Sequence, residues 1–222
     1  MDPQLLTLAL VLAVTGYLVG SIPFGLLLGR LFYGIDLRDY GSGNIGTTNT
    51  YRILGPAAGA LVMACDIAKG LVPALVASLA LPPWLTVLVA VTPVVGHMRS
   101  IFLHFKGGKG VATGAGVVLA LMWPIFVVII ALWLVTVVVT RFVSLASIVA
   151  AAGFAALSFV FTEPTAYRVF AVAVSAAVIW AHRANVSRLL RGTESRISPP
   201  WRTRHRRPAN PPGGEVNASR GR

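Results

Sequence analysis

The chain has 222 residues, 56% of them hydrophobic and only 12% charged, whereas a soluble domain carries roughly 25% charged residues, so a soluble fold is excluded. The single cysteine, Cys65, rules out an intramolecular disulfide and a cysteine-built metal cage. The net charge of +12 sits in connecting segments and in residues 183–222, which is the positive-inside pattern of a membrane protein and not a nucleic-acid footprint.

A spanning helix takes about 20 apolar residues, and the apolar runs lie at 5–31, 54–81, 84–95, 111–139, 143–161 and 166–181. The first reads as a retained span, because its leading segment is acidic and its apolar stretch outlasts a signal-peptide core. The second carries Asp66 and Lys69, three residues apart and able to face one direction. A charge at the centre of a span costs about 2.5–3.5 kcal/mol, so the pair is a functional candidate by default, with a structural brace inside the bundle as the favoured reading; the interrupted run is also a place for a bend. The 111–139 run is too long for one span and divides at Trp123-Pro124, since proline disfavours helix at the residue before it. Without that division, Arg183, Arg188 and Arg191 would fall on the face opposite Lys106 and Lys109.

The expectation is an all-α polytopic membrane protein of about seven transmembrane helices, some short or broken, with the N-terminus outside and the C-terminus cytoplasmic. A five- or six-helix topology with re-entrant pieces is the alternative. Residues 1–197 are expected to form one membrane domain, and 198–222 a basic, disordered cytoplasmic tail beside anionic headgroups.

Two glycine-rich, base-flanked segments interrupt the apolar runs: Gly41-Ser42-Gly43-Asn44-Ile45-Gly46-Thr47-Thr48-Asn49, with Arg52 just beyond, and Lys106-Gly107-Gly108-Lys109-Gly110. Glycine lets backbone N–H groups converge on an anion, and each segment leads into a helical stretch whose N-terminus carries partial positive charge. Arg52 is able to fork onto two phosphate oxygens and Ser42 to donate to a third, with Gly43, Asn44, Gly46, Thr48 and Asn49 around them. In the second segment Lys106 and Lys109 bracket the Gly107-Gly108 pair, with Gly110 and Thr113 at the helix start. It is not a P-loop, because the required spacing and preceding strand are missing.

A third cluster, His182, Asn185, Arg188 and Glu194, follows the last apolar run. His182 suits proton transfer near neutral pH and shares a helix face with Asn185; His97, beside the second loop, is read as structural. No nucleophile elbow, clustered carboxylates, zinc spacing or dinucleotide fingerprint is present, so no metal or cofactor is expected. Phosphate chemistry beside lipid is the reading that remains, with a non-catalytic transporter or binder of phosphate esters as its rival.

In this order the two glycine segments, Asp66-Ile67-Ala68-Lys69-Gly70, Gly96-His97 and His182-Arg183-Ala184-Asn185 through Gly192-Thr193-Glu194 resemble the acyl-phosphate-dependent glycerol-3-phosphate acyltransferases of bacterial membranes, the PlsY family. The resemblance covers residues 5–197. It implies a seven-helix fold in the bacterial inner membrane, with the active site facing the cytoplasm. The implied reaction moves a fatty acyl group from acyl phosphate to the 1-hydroxyl of glycerol 3-phosphate, giving lysophosphatidic acid in phospholipid biosynthesis. By position Ser42, Arg52, Lys109, His182 and Asn185 match the family's substrate-handling residues, and Ser147 a further polar contact, with Ser144 as its alternative.

Overall fold

The computed structural model describes residues 2–161 and 163–197. Among them are ten α-helices, two one-turn 3₁₀ segments and no strand. The tail expected from residue 198 lies outside the described residues.

The first apolar run is not one helix, as the sequence suggested, but two: α1 (Pro3–Ser21) and α2 (Phe24–Tyr33). Pro23 lacks an N–H and interrupts the ladder, and the Ile22 carbonyl left at the break takes the Lys69 ammonium at 2.9 Å. In an apolar surrounding such a freed carbonyl needs a partner. A short α3 (Thr47–Leu54) ends at Gly55, whose φ of +93° suits glycine, and Pro56 opens α4 (Pro56–Ala80). That helix is continuous through Asp66, Lys69 and Pro73.

Next come α5 (Pro83–Met98), α6 (Val111–Leu121) and α7 (Trp123–Thr140). The expected division at Trp123-Pro124 is present, with Met122 between the two helices. Then follow α8 (Val143–Val160), α9 (Thr165–Ala181) and α10 (Arg183–Leu190), the last bent 55° from α9 at His182. Among the described residues five helical segments are long and apolar enough to cross a membrane, or six if the bent α9–α10 pair is one span. Helix α6, with 11 residues, is about 16 Å long, half the hydrocarbon thickness. It is not among the helices long enough to cross, so the candidate spans number fewer than the seven expected.

Helix α1 packs on α5, α4 on α6, α7 on α8 and α8 on α9. The α4–α6 contact brings backbones together: a Cβ on Gly70 would fall on the Thr113 carbonyl oxygen, a small-residue approach common between membrane helices. The largest apolar cluster joins Val94, Val117, Met122, Ile125, Phe154 and Phe170, with Phe154 and Phe170 edge to face at 6.3 Å. In α7 only Ile125 and Ile129 are buried, and Val135, Val138 and Val139 point outward, as a lipid-facing helix requires. Polar ties then draw the loops to one end. The Ser100 hydroxyl donates to the Ser21 carbonyl at 2.6 Å, Tyr17 Oη donates to the Arg99 carbonyl at 2.9 Å, and the Ile197 N–H donates to the Arg141 carbonyl at 2.8 Å.

Candidate active site

The first glycine segment is organised by Asn49, which is buried at the start of α3. Its Nδ2 donates to the Leu37 and Tyr40 carbonyls at 3.1 and 3.0 Å, and its Oδ1 accepts the Ser42 N–H at 3.0 Å. Gly41 and Gly43 adopt φ of +60° and +66°, which lets the chain double back over Asn49. Asn44 Oδ1 accepts the Gly46 N–H at 2.9 Å. The structure thus spends Asn49 on loop geometry, because both ends of its amide are already paired, where the sequence placed it among ligand contacts; Asn44 commits only its Oδ1. Ser42 and Gly43 are exposed, and Gly46 and Thr48 are half-buried.

Arg52 leaves the far end of α3 and reaches across the chain. Its Nη2 donates to the Ser195 carbonyl at 2.9 Å, while its buried Nε–H has no hydrogen-bond partner among the described residues. Burial lowers the guanidinium's proton affinity, with Arg188 adding to that and Glu194 opposing it; arginine remains charged at any physiological pH.

In the second segment Lys106 is exposed, whereas Lys109 is half-buried and donates from Nζ to Asn185 Oδ1. Burial pulls the Lys109 ammonium down to about 8; the Glu194 carboxylate acts against this shift and Arg188 and Arg52 act with it. Gly110 has φ +78° and caps α6. Thr113 is fully buried in the α4–α6 contact, so it packs helices where the sequence placed it near ligand. Ser147 also departs from expectation. Its hydroxyl donates to the Val143 carbonyl at 2.9 Å and accepts the Trp133 indole N–H at 3.3 Å, whereas Ser144, one turn earlier, donates to Glu194.

The third cluster closes the arrangement. Glu194 Oε1 accepts Ser144 Oγ–H and Asn185 Nδ2–H, both at 2.7 Å, and its Oε2 accepts Arg188 Nε–H at 2.7 Å. Burial pushes the Glu194 carboxyl up, but those three donors outweigh it and hold the group below its ordinary value. His182, buried at the α9–α10 bend, points Nδ1 at the Val178 carbonyl at 2.8 Å. A carbonyl oxygen only accepts, so Nδ1 carries the proton and Nε2 keeps a free lone pair. The ring lies within electrostatic reach of both Lys109 and Glu194.

Three stretches far apart in sequence therefore meet: Arg52 through Ser195, Lys109 through Asn185, and Asn185 and Arg188 through Glu194. Arg52, Lys109 and Arg188 supply three cations and Glu194 one carboxylate, which leaves two positive charges without a local counter-charge among the described residues. A dianion matches that deficit.

The chain's residues 10–192 match the family model described as glycerol-3-phosphate acyltransferase. A glycerol-3-phosphate acyltransferase of Synechococcus sp. (strain JA-3-3Ab) is 44% identical over 193 residues, 87% of this chain and 95% of that protein. One from Rubrobacter xylanophilus is 45% identical over 191 residues, 86% of this chain and 96% of that protein. Among solved structures, the glycerol 3-phosphate form of PlsY (YgiH), an integral membrane glycerol 3-phosphate acyltransferase, superposes with a TM-score of 0.83 at 41% identity, covering 86% of this chain and 96% of that one. Its lysophosphatidic acid form superposes at 0.81 with 40% identity, covering 86% and 95%.

Proposed function

The chain belongs to the glycerol-3-phosphate acyltransferase family of integral membrane proteins, and from that premise we propose that it takes its acyl group from acyl phosphate and transfers it to the 1-hydroxyl of glycerol 3-phosphate. The products are lysophosphatidic acid and inorganic phosphate. The observation that carries this reading is the cluster of Arg52, Lys109 and Arg188 around a single carboxylate, beside a histidine with a free ring nitrogen.

In this mechanism Arg52 and Lys109 hold the glycerol phosphate, and the exposed Ser42 and Lys106 with the glycine-loop amides are available to the second phosphate. Both reactants are then fixed, so proximity supplies a large part of the rate. The acceptor hydroxyl attacks the carbonyl carbon of the mixed anhydride as its proton passes to His182 Nε2. The C–O bond to phosphate then breaks, phosphate leaves with the electron pair, and the imidazolium returns the proton to it. Phosphate is a good leaving group, so no acyl-enzyme is required. The glycine-loop amides neutralise charge that develops on the departing oxygens. Glu194 touches neither reactant in this scheme; it fixes Asn185 and Arg188.

The site is assigned to the cytoplasmic side of the bacterial inner membrane, because Lys106, Lys109, Arg141, Arg188 and Arg191 collect at one end of the bundle. The donor is tested by giving the purified protein glycerol 3-phosphate with either acyl phosphate or acyl-CoA. Lysophosphatidic acid is expected from acyl phosphate, and product from the CoA thioester alone overturns the assignment.

A pH profile gives a second test. The cationic form of Lys109 binds phosphate and the neutral form does not, so kcat/KM for glycerol 3-phosphate is expected to fall as pH rises through about 8, the value set mainly by burial of Lys109. Lys109→Arg keeps its charge throughout that range and should remove the alkaline limb. An unchanged limb in that variant assigns the titration to another group.

A further inference from the structure

The two glycines before Lys109 pack against His97, a residue with no part in the mechanism above. His97 lies in the last turn of α5 and is 5% exposed. Its carbonyl accepts the Gly108 N–H at 3.0 Å. A Cβ built on Gly107 would stand 2.1 Å from that carbonyl oxygen, and one built on Gly108 would stand 2.2 Å from the ring Nε2. Neither glycine has a positive φ. Their lack of a side chain is therefore required by contact with His97 and not by backbone conformation.

The ring is in turn backed by the buried pair in α4. Asp66 Oδ1 lies 3.7 Å from His97 Nδ1 and 2.7 Å from Lys69 Nζ, and that ammonium also donates to the Ile22 carbonyl at the α1–α2 break. One side of the imidazole faces a carboxylate whose Lys69 partner is tied to the α1–α2 break, and the other side faces the loop. The brace read from Asp66 and Lys69 thus ends at the glycine pair.

We propose that His97 is a positioning residue for the glycerol-phosphate subsite: its ring, backed by the Asp66–Lys69 pair, is the floor that sets the height of Gly107-Gly108 and hence the reach of Lys109. The inference rests on the reading of Lys109 as a phosphate contact. It assigns His97 a role transmitted through the loop, with no contact to substrate.

The test is steady-state kinetics of the full-length protein, varying glycerol 3-phosphate. His97→Ala is expected to raise KM by about 10- to 100-fold, the usual cost of ångström-scale misplacement, with a much smaller change in kcat. His97→Gln, which keeps part of the ring's volume, is expected to fall between the two.

A size swap separates this role from general destabilisation. Gly108→Ala meets the imidazole ring, so its KM penalty should shrink to no more than about twofold when the ring is already gone in His97→Ala, a non-additivity typical of residues in contact. Gly107→Ala meets a backbone oxygen and should cost the same factor in either background. An unchanged KM in both His97 variants, or a Gly108→Ala penalty that is equal in the two backgrounds, overturns the proposal. If His97→Ala does not accumulate, His97→Ala/Gly108→Ala takes its place, and its absence beside a stable Gly108→Ala also overturns the proposal. Normal kinetics in Lys109→Met removes the phosphate reading and this inference with it, whereas a defective Lys109→Met beside normal His97 variants removes this inference alone.

Discussion

His182→Ala is expected to slow single-turnover acyl transfer by about 10²–10⁴-fold, the range spanned by loss of a positioned general base, while glycerol 3-phosphate binding changes far less. The expectation follows from one hydrogen bond. Because Nδ1 is committed to the Val178 carbonyl at 2.8 Å, the protonated nitrogen faces the helix and the basic one faces away from it. Nε2 therefore keeps the lone pair that accepts a proton from the acceptor hydroxyl. The competing chemistry uses a phosphate oxygen of the substrate as the base. In that case the ring only orients the hydroxyl with Asn185, and the variant loses binding instead of rate. Measuring binding and single-turnover transfer on the same preparation separates the two. Transfer that survives nearly unchanged denies His182 both roles.

Lys109→Met is expected to lower kcat/KM for glycerol 3-phosphate by about 10- to 150-fold, the equivalent of losing one hydrogen bond to a charged group at about 1.5–3 kcal/mol. Methionine keeps most of the length and removes the charge, so the loss reports electrostatics more than packing. It also removes the donor to Asn185, but Asn185 keeps its bond to Glu194, which limits the disturbance to the other side of the cluster. Unaltered kinetics across a range of glycerol 3-phosphate concentrations would refute the assignment. Arg52 offers a contrast: its Nη2 is held by the Ser195 carbonyl and its Nε–H is free, so Arg52→Lys loses the fork while keeping the charge and should mimic part of the same defect.

Much of the architecture was legible because membrane helices leave long apolar runs and proline interrupts them locally. The α6–α7 break at Trp123-Pro124 followed from run length and charge parity. The α1–α2 break at Ile22-Pro23 did not, although the residue type is the same. A run of that length also fits one tilted span, and what stabilises the break is the Lys69 ammonium on the Ile22 carbonyl, contributed by a helix 47 positions away.

The site divides in the same way. Arg52, Lys109, His182, Asn185, Arg188 and Glu194 were visible as charged or titratable groups at apolar boundaries, and they meet in the folded chain. Asn49 looks like a ligand group in sequence because nothing local reveals that its amide is consumed by the Leu37, Tyr40 and Ser42 backbones. Ser144 and Ser147 lie on neighbouring turns of α8 and are chemically identical. Only the arrival of Glu194 beside the first of them tells them apart.

The central claim is that Arg52, Lys109 and Arg188, with their two unmatched positive charges, receive a phosphate dianion next to His182. The most direct measurement is the position of glycerol 3-phosphate in a crystal structure of this chain. The account predicts phosphate oxygens at hydrogen-bond distance, about 3 Å, from the nitrogens of Arg52 and Lys109, with the 1-hydroxyl turned toward His182 Nε2. A phosphate bound away from both cations, or held at the opposite end of the bundle, would contradict it.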